Sequence, residues 1–173
     1  MKIRVVSIAD IEGQLELVKA AAKSTRDWIK DHSGEPMDLL RSLKFDAVGY
    51  HPVAGHALNC IEQINQTFTY AVALEAARYL LDRHPEANGF DLAPGAHMSM
   101  PLDIMSVEPG LVGAETFAAV DPRNNRKLAK DLAKLAQCTE VHRYVFFASP
   151  LFPGLQRRAE LEKDGIEVWT VPA

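Results

Sequence analysis

Cysteine, long apolar runs, excess positive charge and glycine-rich loops are all scarce in this chain, and each scarcity closes a class of function. The only cysteines are Cys60 and Cys138. They are far apart, lack metal-ligand spacing and sit in apolar helical or helix-end contexts, so buried free thiols in a reducing compartment are expected rather than a disulfide. No apolar run approaches the roughly 18 residues of a membrane span. Residues 1–8 alternate like a strand and lack the apolar stretch of a secretory signal, so a soluble, cytoplasmic protein without membrane partners is expected. Lys and Arg number 19 against 23 Asp and Glu, a formal net charge of −4. That balance excludes a globally basic nucleic-acid binder and leaves room only for a local basic face. Gly89, Gly95, Gly110 and Gly113 stand singly and form no phosphate loop. Ser99, Ser106 and Ser149 lack a nucleophile-elbow context. The six histidines, among them His51 and His56 around Pro52 and His97 before a strand, show no HExxH, HxH or cysteine partner and make no zinc motif.

What is present is enough apolar residue, 47% of 173 positions, to bury one core in one domain. After the strand over 1–8, apolar positions at Ile11, Leu15, Val18 and Ala22, continued by Trp28 and Ile29, predict a helix over 10–32 with one core face. Ser33-Gly34-Glu35-Pro36 reads as its stop, and 37–55 reads as irregular, with a short strand over 45–50. A long helix is expected over 56–83, ended by His84-Pro85. It carries a polar stripe of Asn59, Glu62, Gln66 and Thr69. Strands follow over 90–93, 102–107 and 111–120, then a helix over 124–137, a strand over 143–148, a short helix over 155–163 and a strand over 166–171. The class is α/β, a single domain with a mixed β-sheet flanked by helices. Residues 1–55 form a strand-and-helix extension to a core over 56–173.

Asp103 and Glu115 lie in otherwise apolar strands joined by Glu108-Pro109-Gly110. A carboxylate in such a setting must be paired, protonated or bound to a cation. A three-residue loop with Gly110 in the left-handed conformation would set the two acids directly opposite each other on one face, their Cβ atoms about 4.5–5.5 Å apart. Pro109-Gly110 also fits the centre of a type II turn, which would put them on opposite faces. The sequence leaves this register open. Asp103 could equally be a strand-end carboxylate meeting water or a backbone amide. On the following helix Lys127, Lys130 and Lys134 are spaced by three and four, with Arg126 adjacent and Leu128, Leu132 and Leu135 marking the buried side. A lysine stripe is commonly a solvated face. Here it begins at Arg123-Asn124-Asn125, a helix entrance whose free amides favour anions.

This order of elements, helix, three strands, helix, strand over about 56–149, resembles the PD-(D/E)xK, or restriction-endonuclease-like, nuclease superfamily. The resemblance implies an αβββαβ core and Mg²⁺ or Mn²⁺ held by Asp103 and Glu115. It also implies assistance from Glu62 on the preceding helix. Two departures stand out: Pro101 precedes Leu102 rather than Asp103, and Phe117 occupies the position of the Lys expected two residues after Glu115. Members are known in which that Lys comes from the next helix, which nominates Lys127 as the residue that orients the water. Arg126, Lys130 and Lys134 would then contact nucleic acid. The expected function is metal-dependent hydrolysis of DNA or RNA phosphodiesters. The alternative is a catalytically silent nuclease-fold module that binds nucleic acid or protein. The oligomeric state is open, a homo-oligomer included.

Overall fold

Ser7 ends the first strand, β1 (Ile3–Val5), and caps the first helix, α1 (Ile8–Asp31), by a reciprocal pair of bonds with Asp10. The computed structural model describes residues 2–95 and 100–173, so His97 and Ser99 lie outside the described residues. The helix stops near Ser33 as expected. Pro36, however, starts a second helix, α2 (Pro36–Phe45), where the sequence read irregular chain. Proline at the first helical position costs nothing, because that N–H has no partner in any helix.

Two short strands, β2 (Gly49–Tyr50) and β3 (Ala57–Leu58), pair with each other. The pairing delays the long helix, α3 (Cys60–Arg83), which Asn59 caps by accepting the Glu62 N–H at 2.9 Å. Through its second half α3 buries Tyr70, Val72, Ala73, Leu74, Ala76, Ala77 and Leu80. Such a run is apolar all round because α1 covers it on one side and the sheet on the other.

The main sheet then forms from β4 (Phe90–Leu92), β5 (Ile104–Ser106), β6 (Val112–Ala118), β7 (His142–Ala148), β8 (Gln156–Arg157) and β9 (Glu167–Thr170), joined by β1. Its order is β1-β4-β5-β6-β7-β9-β8. From β1 to β6 neighbours are antiparallel, β6, β7 and β9 are parallel, and β8 is antiparallel to β9. The first strand is thus an edge of the main sheet, tied to β4 by Arg4 and Lys2 on Asp91. Helix α4 (Lys127–Leu135) makes the crossover from β6 to β7. It starts late, since Arg126 adopts a left-handed φ of 56° after a single 3₁₀ turn over Asn124–Arg126. The helix expected over 155–163 is absent. In its place are β8 and one 3₁₀ turn at Ala159–Leu161, the segment being too short to nucleate a stable helix.

The architecture is one α/β domain, a mixed sheet between two helical layers. Alternate side chains of the strands divide two cores. Ile104, Val112, Ala114, Tyr144 and Phe146 face α1 and α3. Phe117, Val145, Phe147 and Val168 face α4 through Leu128, Leu132 and Leu135. Cys60 is buried and Cys138 half-buried, and both are free thiols. Among the described residues no helix is long and apolar enough to cross a membrane.

Candidate active site

The β5–β6 hairpin decides the site. Gly110 takes φ +74°, a conformation that favours glycine, and the ladder pairs Ile104 with Ala114 and Met105 with Gly113. The ladder ends there; continued by one step, its register falls on Asp103 and Glu115. The three-residue loop is therefore the one the chain adopts. Close to the turn a serine takes the place of a backbone partner: Ser106 Oγ accepts the Val112 N–H at 3.0 Å and donates to the Glu108 carbonyl at 2.5 Å.

Asp103 sits just before β5 and is 8% exposed. Its Oδ2 accepts two bonds from one residue, the Thr116 N–H at 2.9 Å and the Thr116 hydroxyl at 2.9 Å. The carboxylate thus meets a backbone amide at the strand end, near enough to Glu115 to raise that acid's pKa. Among the described residues no donor meets its Oδ1. Glu115, 2% exposed in the middle of β6, accepts from Lys134 Nζ at 2.6 Å. A third acid, Asp131 on α4, is 3% exposed, with Oδ1 on Lys127 Nζ at 2.7 Å and Oδ2 buried without a partner.

Three buried carboxylates against two lysines leave one negative charge in excess. All three carboxyls are held above their ordinary range. Burial is the first cause in each case. Repulsion from Asp103 adds to it at Glu115 and Asp131, while the Thr116 bonds oppose it at Asp103 and a lysine opposes it at each of the other two. Burial acts on Lys134 in the opposite sense, to lower it, but the bond and attraction to Glu115 prevail and its pKa is raised. Lys134 is therefore an ammonium, a donor and not a base.

Asp103, Glu115, Lys127 and Lys134 border an open cleft of about 1480 Å³ that reaches the carboxyl ends of the three parallel strands, at Ala118, Ser149 and Val171. In open α/β sheets that end is where ligands bind. Lys127, Lys130 and Lys134 all line it, with Asn124 at the helix entrance and Asn65, Phe68 and Thr69 on α3. Two sequence candidates are placed elsewhere. Glu62 is exposed on the first turn of α3 and does not line the cleft, and Arg126 is exposed at the left-handed break before α4. Lys127 lines the cleft, bonds Asp131 and lies near enough to Asp103 to favour its charged form, while the amine bonded to Glu115 is that of Lys134. Asp131 and Thr116 escaped the sequence reading. The only signal for Asp131 was its place four residues after Lys127, and Thr116 carried none.

The donor set suits a hard cation held by few protein ligands. Asp103, Glu115 and Asp131 do not close into a three-ligand group; among the described residues only His84, Glu86 and His142 bring three ligand atoms within 4.8 Å of one another. Asp103 and Glu115 could share Mg²⁺ or Mn²⁺ with water and phosphate oxygens, since magnesium is commonly bound by one or two carboxylates plus substrate. The chain matches no protein-family model, no curated protein and no solved structure.

Proposed function

We propose that this protein is a metal-dependent nuclease-like domain that hydrolyses nucleic-acid phosphodiesters, built on a restriction-endonuclease-like αβββαβ core. The observation that carries the reading is the approach of two buried acids, Asp103 just before β5 and Glu115 on β6, near enough for Asp103 to raise the Glu115 carboxyl, with Lys134 Nζ 2.6 Å from Glu115 at the border of a lysine-lined cleft. The excess negative charge there favours a cation over an empty site.

Asp103 and Glu115 would hold the ion, which lowers the pKa of a bound water and neutralises charge on the scissile phosphate. Thr116 fixes the Asp103 carboxylate through Oδ2 and leaves Oδ1 for the ion. Lys134, protonated, donates a hydrogen bond to the attacking water or to a non-bridging phosphate oxygen, where charge builds up in the transition state. Lys127 and Lys130 meet the flanking phosphates electrostatically. Asp131 keeps Lys127 in place from behind. Water attacks phosphorus, the P–O ester bond breaks and the leaving oxygen takes up a proton, giving a phosphomonoester and an alcohol.

A second reading, a silent module that binds nucleic acid, is favoured by the duties the acids already perform: Asp103 closes the end of the hairpin and Glu115 neutralises Lys134. Cleavage of labelled single-stranded and duplex DNA and RNA, with Mg²⁺ or Mn²⁺ against a chelator, separates the two. The nuclease reading requires metal-dependent cleavage that disappears in Asp103→Asn. Salt-sensitive binding without cleavage assigns the module, and neither result on any substrate removes nucleic acid from the account.

A further inference from the structure

A second cluster lies at the other end of the sheet. His84, 5% exposed, caps the C-terminus of α3, Glu86 lies in the 3₁₀ turn Pro85–Ala87, and His142 opens β7. Ser149, on the cleft, follows the far end of the same strand, roughly 20 Å away at the rise of a strand. One ligand atom from each of His84, Glu86 and His142 lies within 4.8 Å of the others. The two imidazole rings lie 4.5 Å apart between centroids, tilted by 38°.

We infer that His84, Glu86 and His142 form a site for a borderline first-row cation of the Zn²⁺ type, stapling the end of α3 to the start of β7. Two imidazoles and one carboxylate suit Zn²⁺, Co²⁺ or Ni²⁺ and not Mg²⁺. Three protein ligands leave a fourth position for water.

The surroundings are arranged as such a site needs. His84 Nδ1 is 2.9 Å from Glu86 Oε1, so the two ligand atoms already face each other. On its far side Nε2 lies 2.8 Å from Tyr144 Oη, which also accepts from Arg83 Nε at 3.2 Å. Metal at Nδ1 would displace the proton that His84 donates to Glu86 and leave Nε2–H to donate to Tyr144. An outer hydrogen bond of this kind fixes the tautomer and orientation of a ligating histidine. Tyr144 is 1% exposed, so the support is rigid. The backbones are pinned as well: the Ala87 N–H meets the His84 carbonyl at 3.0 Å and the His142 N–H meets the Leu111 carbonyl at 2.9 Å. Tetrahedral zinc sets its ligand atoms about 3.4 Å apart. The remaining closure falls to the exposed Glu86 and half-buried His142 side chains, which have room to swing, while His84 stays fixed.

The test uses tag-free protein stripped by a chelator and titrated with Co²⁺, followed by Zn²⁺. The expected result is visible Co²⁺ d–d absorption saturating at one equivalent, abolished by Zn²⁺, with a rise in melting temperature. Glu86→Gln and His142→Asn should each weaken binding by at least about tenfold, and Tyr144→Phe by about 10–100-fold. Glu86 is exposed, so Glu86→Gln remains informative even if a histidine variant folds poorly. Asp103→Asn combined with Glu115→Gln should leave the Co²⁺ spectrum unchanged, which separates this site from the cleft. No spectrum at one equivalent, or one that survives both Glu86→Gln and His142→Asn, overturns the assignment.

Discussion

Lys134 Nζ lies 2.6 Å from Oε1 of Glu115, joining a half-exposed helix lysine to a strand carboxylate whose side chain is only 3% exposed. Lys127, one face-repeat earlier on the same helix, is committed to Asp131 at 2.7 Å instead. The two lysines share a stripe but hold different acids, and this assigns them different work. Lys134 reaches the strand pair. Lys127 neutralises a buried helix carboxylate.

Substituting each lysine should therefore give different failures. If the protein is the nuclease proposed above, Lys134→Ala should abolish metal-dependent cleavage while changing nucleic-acid affinity only a few-fold, because its donor would act on charge that develops in the transition state. Lys127→Ala should retain measurable cleavage, and both variants should lose about 1–3 kcal/mol of stability, since each leaves a buried acid, Asp131 or Glu115, without its lysine. Single-turnover cleavage and thermal melts on both variants check this. Equal loss of activity in the two would contradict the division.

Asp103 and Glu115 repel each other, so Asp103→Asn should stabilise the metal-free protein. Asparagine keeps an oxygen for the Thr116 N–H and hydroxyl and removes the charge. A gain of about 1 kcal/mol would raise the melting temperature by about 2–4 °C in a chain of this size. Mg²⁺ at ten times its dissociation constant should stabilise the parent by about 1.4 kcal/mol and the variant hardly at all. Melts indifferent to the ion in both proteins would leave the acids with structural duties alone.

Much of this layout was readable in the sequence because period and composition carry it. The order from α3 through β7 follows from short apolar segments and helical spacing punctuated by His84-Pro85, Pro109-Gly110 and Arg123-Asn124. What was not readable depends on contacts that no local pattern encodes. Helix α2 is short and fully buries no residue, and Pro36 served equally well as a stop or a start. The hairpin register hung on Gly110 and on a Ser106 hydroxyl standing in for a backbone partner. The partition of Lys127 to Asp131 and Lys134 to Glu115 depended on the packing of α4 on β6 and β7. Asp131 resembled an ordinary surface partner of Lys127 until packing of α4 on β6 and β7 buried it.

The edge of the sheet offers a pH test away from either proposed metal site. Asp91 accepts from Arg4 Nε at 2.8 Å and Nη2 at 2.9 Å, and from Lys2 at 3.1 Å. The Arg4 bond is the main cause that holds the Asp91 carboxyl below its ordinary value of 3.8. A lowered carboxyl stabilises the fold above its unfolded pKa and loses that contribution as pH falls through the folded one. Asp91→Asn should cost about 1 kcal/mol at neutral pH, modest because both cations are half-exposed. The gap between parent and variant should narrow as pH falls below about 4 and shrink in high salt. Parallel melts across acid pH measure it, and a gap that widened on acidification would disprove the ionic assignment of β1 to β4.

Thr116 supplies the last test, because it touches Asp103 twice and lies outside the set of proposed ligands. Thr116→Val preserves the β-branched shape in a residue 5% exposed and deletes only the hydroxyl donor, leaving the N–H bond to Oδ2. Loss of one bond to a charged acceptor should lower stability by about 1–2 kcal/mol. If Asp103 holds the cation, the loosened carboxylate should also weaken Mn²⁺ binding by about 10–100-fold, the usual penalty for removing an orienting partner. Thr116→Ser, which restores the hydroxyl, should recover metal affinity while still lacking the methyl group. A Thr116→Val protein that loses stability but binds Mn²⁺ as tightly as the parent would show that the Thr116–Asp103 contact serves only to close the hairpin.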